Sequence, residues 1–130
     1  GERILSNINA MIDTGENLVI LSPSQAKTLY AALRGTDVSS TLGAGYYSFS
    51  CKSFASISLT FGSTSFTMSK ETLNAGQVSA GSEDCVSSIV GQDTAEGLAI
   101  ISTYFLQNVY TSFDIGNGSG KSRIGFARLA

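Results

Sequence analysis

The residues best suited to chemistry are Asp13, Thr14 and Gly15, which interrupt an apolar stretch and are followed by Glu16. A carboxylate in such surroundings can act as a general acid or base, because burial and neighbouring charges decide when it is protonated. The structural alternative is a β-turn, in which Asp and Gly are common. The motif Asp-Thr-Gly alone does not decide between the two, because three residues recur by chance.

The composition excludes several kinds of site. The 130 residues contain no His, which excludes nucleophiles activated by His within this chain. With no His and two distant Cys, a zinc site is disfavoured, and we expect neither a metal nor another cofactor. The net charge of -2 leaves no basic surface for nucleic acid. No apolar run approaches the roughly 20 residues that span a bilayer, so we expect no membrane partner.

Cys51 and Cys85 admit two interpretations. As a disulfide they would restrict the unfolded chain and contribute roughly 3–4 kcal/mol. As free thiols they would be small buried residues. The sequence is rich in Ser, Thr and Gly and only 14% charged, which is typical of a secreted protein and favours the disulfide.

Three further motifs are less specific. Ser24 and Lys27 have the Ser-x-x-Lys spacing of penicillin-recognising enzymes, but no companion motif is present, so an ordinary helix turn is favoured. The Gly-rich stretch 116–120 lies between two predicted strands, which indicates a hairpin tip instead of a phosphate loop. Asn117 begins an Asn-Gly-Ser sequon and is a candidate for glycosylation.

One helix is predicted clearly. Ser22 is a favourable N-cap, Pro23 suits the first helical position, and Gln25 completes a capping box. Gly35 is expected to end the helix. Apolar residues with helical spacing predict one buried face: Ala26, Leu29, Tyr30 and Leu33.

The remaining sequence predicts short strands and tight turns. We expect an extended segment at 3–13, a polar loop at 79–87 and one helical turn at 69–74. The apolar stretch 97–107 predicts a strand that runs into a short helix. Further strands are expected at 18–21, 46–50, 57–61, 64–68, 109–115 and 122–129, with Gly62-Ser63 as a two-residue hairpin turn. Residues 1–130 therefore predict a single all-β domain with one main helix.

This order of elements resembles the C-terminal lobe of a pepsin-like aspartic endopeptidase and is most similar to secreted fungal members. "AMIDTG" matches the family's second Asp-Thr-Gly, "FLQNVYTSFDIGN" and "RIGFARL" match its closing segment, and "YYSFSC" and "EDC" match the positions of a lobe disulfide. The resemblance covers nearly the whole chain. It implies a single pepsin-like acid-protease lobe with a Cys51–Cys85 disulfide, located outside the cell or in the vacuolar lumen.

The resemblance also implies a mechanism. Two aspartates, one from each lobe, share a proton, because like charges so close cannot both ionise. The pair would deprotonate a bound water for attack on a peptide carbonyl and would protonate the leaving nitrogen. Asp13 would be one member of the pair. The Thr14 hydroxyl would contact the other lobe, and the Gly15 N–H would hydrogen-bond the carboxylate.

Three features depart from the family. Only one Asp-Thr-Gly is present, so the second aspartate has to come from another lobe or another copy. Glu16 stands where the family has Ser or Thr, and it either brings a second negative charge near Asp13 or points to solvent. Ser102 and Thr103 replace the glycine and aspartate that end the family's later apolar strand. We expect the Ser102 Cβ to crowd the Asp13 loop.

Three hypotheses follow. In the first, the chain is half of an acid endopeptidase acting on peptides or proteins, inactive until an N-terminal lobe joins it. In the second, two copies pair around a two-fold axis, as in retroviral proteases. In the third, the chain is an isolated or redesigned lobe without catalysis, serving as a binding or folding-model domain, which the substitutions at 16, 102 and 103 would favour.

Overall fold

The computed structural model describes residues 2–116 and 120–130, so the predicted sequon at Asn117 lies outside the described residues. In chain order, the described strands are β1 Ala10–Ile12, β2 Val19–Leu21, β3 Thr36–Asp37, β4 Tyr47–Ser50, β5 Ser58–Phe61, β6 Thr64–Thr67, β7 Asn74–Gln77, β8 Asp84–Ser87, β9 Ile89–Gly91, β10 Ala99–Ile101, β11 Val109–Asp114 and β12 Arg123–Arg128. The helices are α1 Pro23–Leu33, α2 Ser39–Leu42, α3 Lys70–Leu73 and α4 Thr103–Leu106, with a 3-10 turn at Ala95–Gly97. These elements confirm an all-β lobe with one main helix. None of the described helices has the length and apolar character needed to cross a membrane.

A four-stranded sheet with the order β1-β10-β2-β9 forms the centre of the fold. Strands β1 and β10 are parallel, with Ile12 opposite Ile101, and β2 is antiparallel to β10 and parallel to β9. Every residue of β9 and β10 is buried, which is typical of strands covered on both faces. Because β1 and β10 point the same way, the residues that follow them, Asp13 and Ser102, emerge at the same end of the sheet.

Helix α1 begins as predicted, but the residue that ends it differs from the prediction. The Ser22 side chain accepts the Gln25 N–H at 3.2 Å and the Gln25 side chain accepts the Ser22 N–H at 3.0 Å, which confirms the capping box. The left-handed residue at the other end is Arg34, with a φ of 60°, and not Gly35. Gly35 is needed for packing, because a Cβ there would lie 2.6 Å from the Tyr30 ring.

A second sheet has the order β3-β4-β8-β7 and carries the disulfide. Cys51 and Cys85 are bonded across 34 residues, which confirms the disulfide. The predicted polar loop at 79–87 is wrong for Asp84–Ser87, which form an inner strand of this sheet. The strand was missed because its residues are largely polar, which indicated a loop. Ser87 is nevertheless fully buried, and its Oγ accepts a hydrogen bond from the Tyr30 hydroxyl at 2.6 Å.

The extended segment predicted at 3–13 is correct only in part. A strand forms at Ala10–Ile12, while Ile4 and Ile8 lie half-buried against the core outside any strand. The helical turn predicted at 69–74 is confirmed by α3, and the stretch 97–107 forms β10 followed by α4.

Two hairpins complete the fold. The turn Gly62-Ser63 between β5 and β6 is confirmed, with a φ of 63° at Gly62. Strands β11 and β12 pair over six residues each, and we call residues 109–116 and 120–129 the C-terminal hairpin. Near its base, Phe126 packs against Phe61 and Phe105, with ring centroids 4.3 and 6.1 Å away. Beyond that point the hairpin leaves the core.

Candidate active site

Asp13 directly follows strand β1, and strand β10 holds its backbone. The Asp13 N–H donates to the Ile101 carbonyl at 2.9 Å, which extends the pairing of the two strands by one residue. The Asp13 side chain is half-buried. The Gly15 N–H donates to Asp13 Oδ1 at 2.8 Å, the contact that the resemblance implied. The carboxylate is therefore fixed both through its backbone and through one oxygen.

Gly15 lies so close to this carboxylate that its missing side chain matters. A Cβ at this position would lie 3.3 Å from Asp13 Oδ1, which is tighter than an ordinary contact. A larger residue would therefore push the carboxylate aside or lengthen the N–H···O bond.

The residues after this turn are fastened to the first turn of helix α4. The Thr103 N–H donates to the Glu16 carbonyl and the Tyr104 N–H to the Asn17 carbonyl, both at 3.1 Å. The first amides of a helix have no acceptor within the helix itself. The loop and the helix end thus satisfy each other's polar groups.

Ser102 contacts the loop through its hydroxyl. Its side chain is fully buried, and its hydroxyl bonds to the carbonyls of Asn17, at 3.0 Å, and Leu18. Thr103 adds a bond from its hydroxyl to Asn17 Oδ1 at 3.1 Å. The hydrogen bonds of this side chain to the loop were not predicted from the sequence.

Glu16 forms hydrogen bonds through its carboxylate that the sequence did not predict. Its carboxylate turns back onto its own loop, where Oε1 accepts the N–H groups of Asn17 at 3.0 Å and Leu18 at 3.4 Å. The side chain is half-buried. Its negative charge is thus met by backbone donors of the loop.

Two other loop residues differ in how well the sequence indicated them. The Thr14 side chain is exposed, which leaves it accessible to a partner molecule. Asn17 was not singled out, although it accepts hydrogen bonds through both its backbone and its side chain. Its only sequence signal is a polar residue directly before the apolar run 18–21.

Other carboxylates have local partners of their own. Hydrogen bonds from the Ser39 backbone and side chain hold the pKa of Asp37 below its usual value. The pKa of Asp114 is also held below its usual value, mainly by the Gly116 N–H and to a smaller extent by Arg123. Among the described residues, no three side chains of the types His, Cys, Asp and Glu cluster closely enough to hold a metal ion.

The C-terminal hairpin exposes much of the apolar surface of the described residues. Five large apolar side chains that are at least 46% exposed lie on it: Tyr110, Phe113, Ile115, Ile124 and Leu129. Contact between so many apolar side chains and water is unfavourable. An exposed apolar patch commonly marks a surface that another protein covers.

Comparisons with known proteins point to one family. The family model described as eukaryotic aspartyl protease matches residues 2–129. An aspartic protease of Phaffia rhodozyma is 40% identical over 124 residues, which are 92% of this chain and 29% of that protein. Penicillopepsin-3 of Penicillium janthinellum is 31% identical over 128 residues, which are 98% of this chain and 31% of that protein. Major aspartyl peptidase 1 of Cryptococcus neoformans var. grubii is 29% identical over 129 residues, 95% of this chain and 26% of that protein. The chain thus spans less than a third of the length of these relatives.

Proposed function

This chain belongs to the eukaryotic aspartyl protease family, and from that premise we propose that it is one half of an acid aspartic endopeptidase. It supplies Asp13 as one of two catalytic aspartates and one wall of a peptide-binding cleft. Alone it is inactive, because a single carboxylate cannot form the proton-sharing pair.

One observation carries this proposal: the Asp13 carboxylate is half-buried on a backbone that is fixed on both sides. Ile101 accepts the Asp13 N–H, and the Gly15 N–H donates to Asp13 Oδ1. A general base has to be held within hydrogen-bond reach of the proton it takes, so a fixed carboxylate suits this role better than a mobile one.

In the proposed reaction, the two aspartates hold one proton and one water between them. The ionised carboxylate takes a proton from the water while the water oxygen bonds to the peptide carbonyl carbon. The protonated carboxyl then gives its proton to the leaving nitrogen as the carbon–nitrogen bond breaks. Because one carboxyl must stay protonated, activity is favoured in acid.

The partner we propose is an N-terminal lobe of the same family. The relatives are more than three times as long as this chain. The exposed apolar side chains of the C-terminal hairpin would be covered by such a lobe. Thr14, exposed beside Asp13, would contact that lobe through its hydroxyl.

We also propose a secreted location, outside the cell or in the vacuolar lumen. The Cys51–Cys85 disulfide is of the kind that persists in oxidising compartments. The relatives are fungal aspartic proteases. Neither observation depends on the catalytic role of Asp13.

The experiment is reconstitution. The chain is mixed at acid pH with a separately produced N-terminal lobe of a related fungal aspartic protease. Association is followed by sedimentation, cleavage with a peptide substrate, and site formation by binding of a statine-type transition-state analogue. We expect the mixture to cleave and the chain alone to be inactive. Asp13→Asn should lower kcat by about 10²–10⁴-fold, the range of a lost general base, without preventing association.

The matched control is Asp37→Asn, which changes an exposed aspartate that also accepts an N–H two residues later, lies outside the C-terminal hairpin and should leave kcat unchanged. If the lobes associate but neither cleave nor bind the analogue, the chain is a non-catalytic lobe. If the chain alone sediments as a dimer and cleaves, the second aspartate comes from a second copy. Either result contradicts the proposal.

A further inference from the structure

Ser102 is a polar side chain in a place where burial has to be compensated. Its exposed fraction is 0%, and it lies between strand β10 and helix α4. A buried hydroxyl without a partner is unfavourable. The single proton of this hydroxyl is shared between two main-chain carbonyls, those of Asn17 and Leu18.

Asn17 receives the largest number of these contacts. Its carbonyl oxygen accepts both the Ser102 hydroxyl at 3.0 Å and the Tyr104 N–H at 3.1 Å, which uses both of its lone pairs. Its side-chain Oδ1 accepts the Thr103 hydroxyl at 3.1 Å. Asn17 is therefore held at its backbone and at its side chain by the same short segment.

Four consecutive residues, 101–104, thus hold both ends of the loop 13–18. Ile101 accepts the Asp13 N–H at one end, and the residues after it donate to the carbonyls of residues 16 to 18 at the other. We propose that Ser102 and Thr103 are positioning residues for Asp13. Their hydroxyls keep the loop closed, so that the Gly15 N–H stays aimed at the Asp13 carboxylate.

This inference rests on the proposed role of Asp13, but its test does not need activity. All readouts are taken by NMR on the 130-residue chain alone. A failed reconstitution would therefore overturn the proposed function and leave the positioning result intact, and the reverse also holds.

The test compares variants at position 102. Ser102→Ala removes the hydroxyl and keeps the Cβ, while Ser102→Gly removes both. If the serine acted through its Cβ alone, Ser102→Ala would leave the loop as well ordered as in the original chain and only Ser102→Gly would loosen it. If it acts through its hydroxyl, both variants loosen the loop. Ser88→Ala is the matched control, because Ser88 is also fully buried and its hydroxyl donates to the Thr72 carbonyl at 2.7 Å.

Two signals report on the loop. The Gly15 amide proton shift follows the hydrogen bond to Asp13 Oδ1, and hydrogen exchange at Thr103 and Tyr104 follows the bonds that close the loop. In Ser102→Ala and Ser102→Gly, we expect the Gly15 signal to move upfield and exchange at these two amides to become about tenfold faster, the factor that one lost hydrogen bond corresponds to. Ser88→Ala should change neither signal.

A milder variant keeps the test decisive if changes at the buried position prevent folding. Thr103→Val keeps the shape of a half-buried side chain and removes only the bond to Asn17 Oδ1. It should move the Gly15 signal in the same direction by a smaller amount. An unmoved Gly15 signal in Thr103→Val, or equal changes in the Ser88 control and in Ser102→Ala, would overturn the proposal.

Discussion

The chain contains two Asp-x-Gly turns with the same local hydrogen bond and different surroundings. In the first, the Gly15 N–H donates to Asp13 Oδ1, and in the second, the Gly116 N–H donates to Asp114 Oδ1, both at 2.8 Å. Asp13 is half-buried and fastened to strand β10, whereas Asp114 lies at the exposed end of the C-terminal hairpin beside Arg123, 3.0 Å away.

The comparison teaches that the short motif alone does not make a catalytic loop. An aspartate that accepts an N–H two residues later is a common turn. The Gly116 N–H, and after it Arg123, hold the pKa of Asp114 below its usual value. Asp13 differs in that the largely buried segment 101–104 holds its loop. This difference can be tested by changing residues near each of the two turns.

The largest difference is expected from removing an aromatic ring near each turn. Phe105 belongs to helix α4, which fastens the Asp13 loop, and is fully buried, whereas Phe113 is 57% exposed beside the Asp114 turn. Phe105→Ala should lower the free energy of unfolding by about 3–5 kcal/mol through the cavity it leaves. Phe113→Ala should change it by no more than about 0.5 kcal/mol. Urea unfolding of the two variants measures both, and similar losses would show that the two turns are equally supported.

A smaller difference is expected at the glycines. Gly116 has a φ of 72°, and a Cβ there would lie 2.2 Å from the Lys121 carbonyl oxygen, so Gly116→Ala should cost about 1–2 kcal/mol or more. Gly15 does not have a positive φ, and an added Cβ would meet only the end of the Asp13 side chain. Gly15→Ala should therefore cost less stability but shift the carboxyl carbon resonance of Asp13. A stable Gly116→Ala with an unchanged hairpin would contradict this expectation.

The smallest effect concerns pH. The folded-state pKa of Asp114 is lowered, so its stabilising contribution is present above its ordinary value of 3.8 and is lost as pH falls through the lower folded value. Asp114→Asn should therefore be slightly less stable than the original chain at pH 6, and the two should converge in strong acid. Arg123→Gln should reproduce only part of this loss, because the Gly116 N–H is the larger cause of the shift. Thermal unfolding across this pH range measures the difference, and parallel curves would rule it out.

Predictions from sequence succeeded where neighbours along the chain decide the structure. The capping box of Ser22 and Gln25 and the turn at Gly62 each depend on residues three positions apart or fewer. The family resemblance correctly gave the fold and the Cys51–Cys85 pairing. The catalytic role of Asp13, the single domain over 1–130 and the partner lobe stay predictions.

Predictions failed where distant residues decide. Strand β8 looked like a polar loop because the partner of Ser87 is Tyr30, 57 positions away. The hydrogen bonds of Ser102 were not predicted because its acceptors, Asn17 and Leu18, lie about 85 positions earlier. In both cases a polar side chain is buried with a partner that no local pattern reveals.

The sequence by itself determined where helix α1, the helical turn of α3 and the Gly62-Ser63 turn form, and that one carboxylate stands in an Asp-Thr-Gly motif. Only the tertiary structure decided that this carboxylate is held from behind by a buried hydroxyl, and that a second turn of the same form is not. The physical reason is that turns and caps are satisfied by the nearest residues. A buried hydroxyl is stable only where folding brings a distant carbonyl within hydrogen-bond distance.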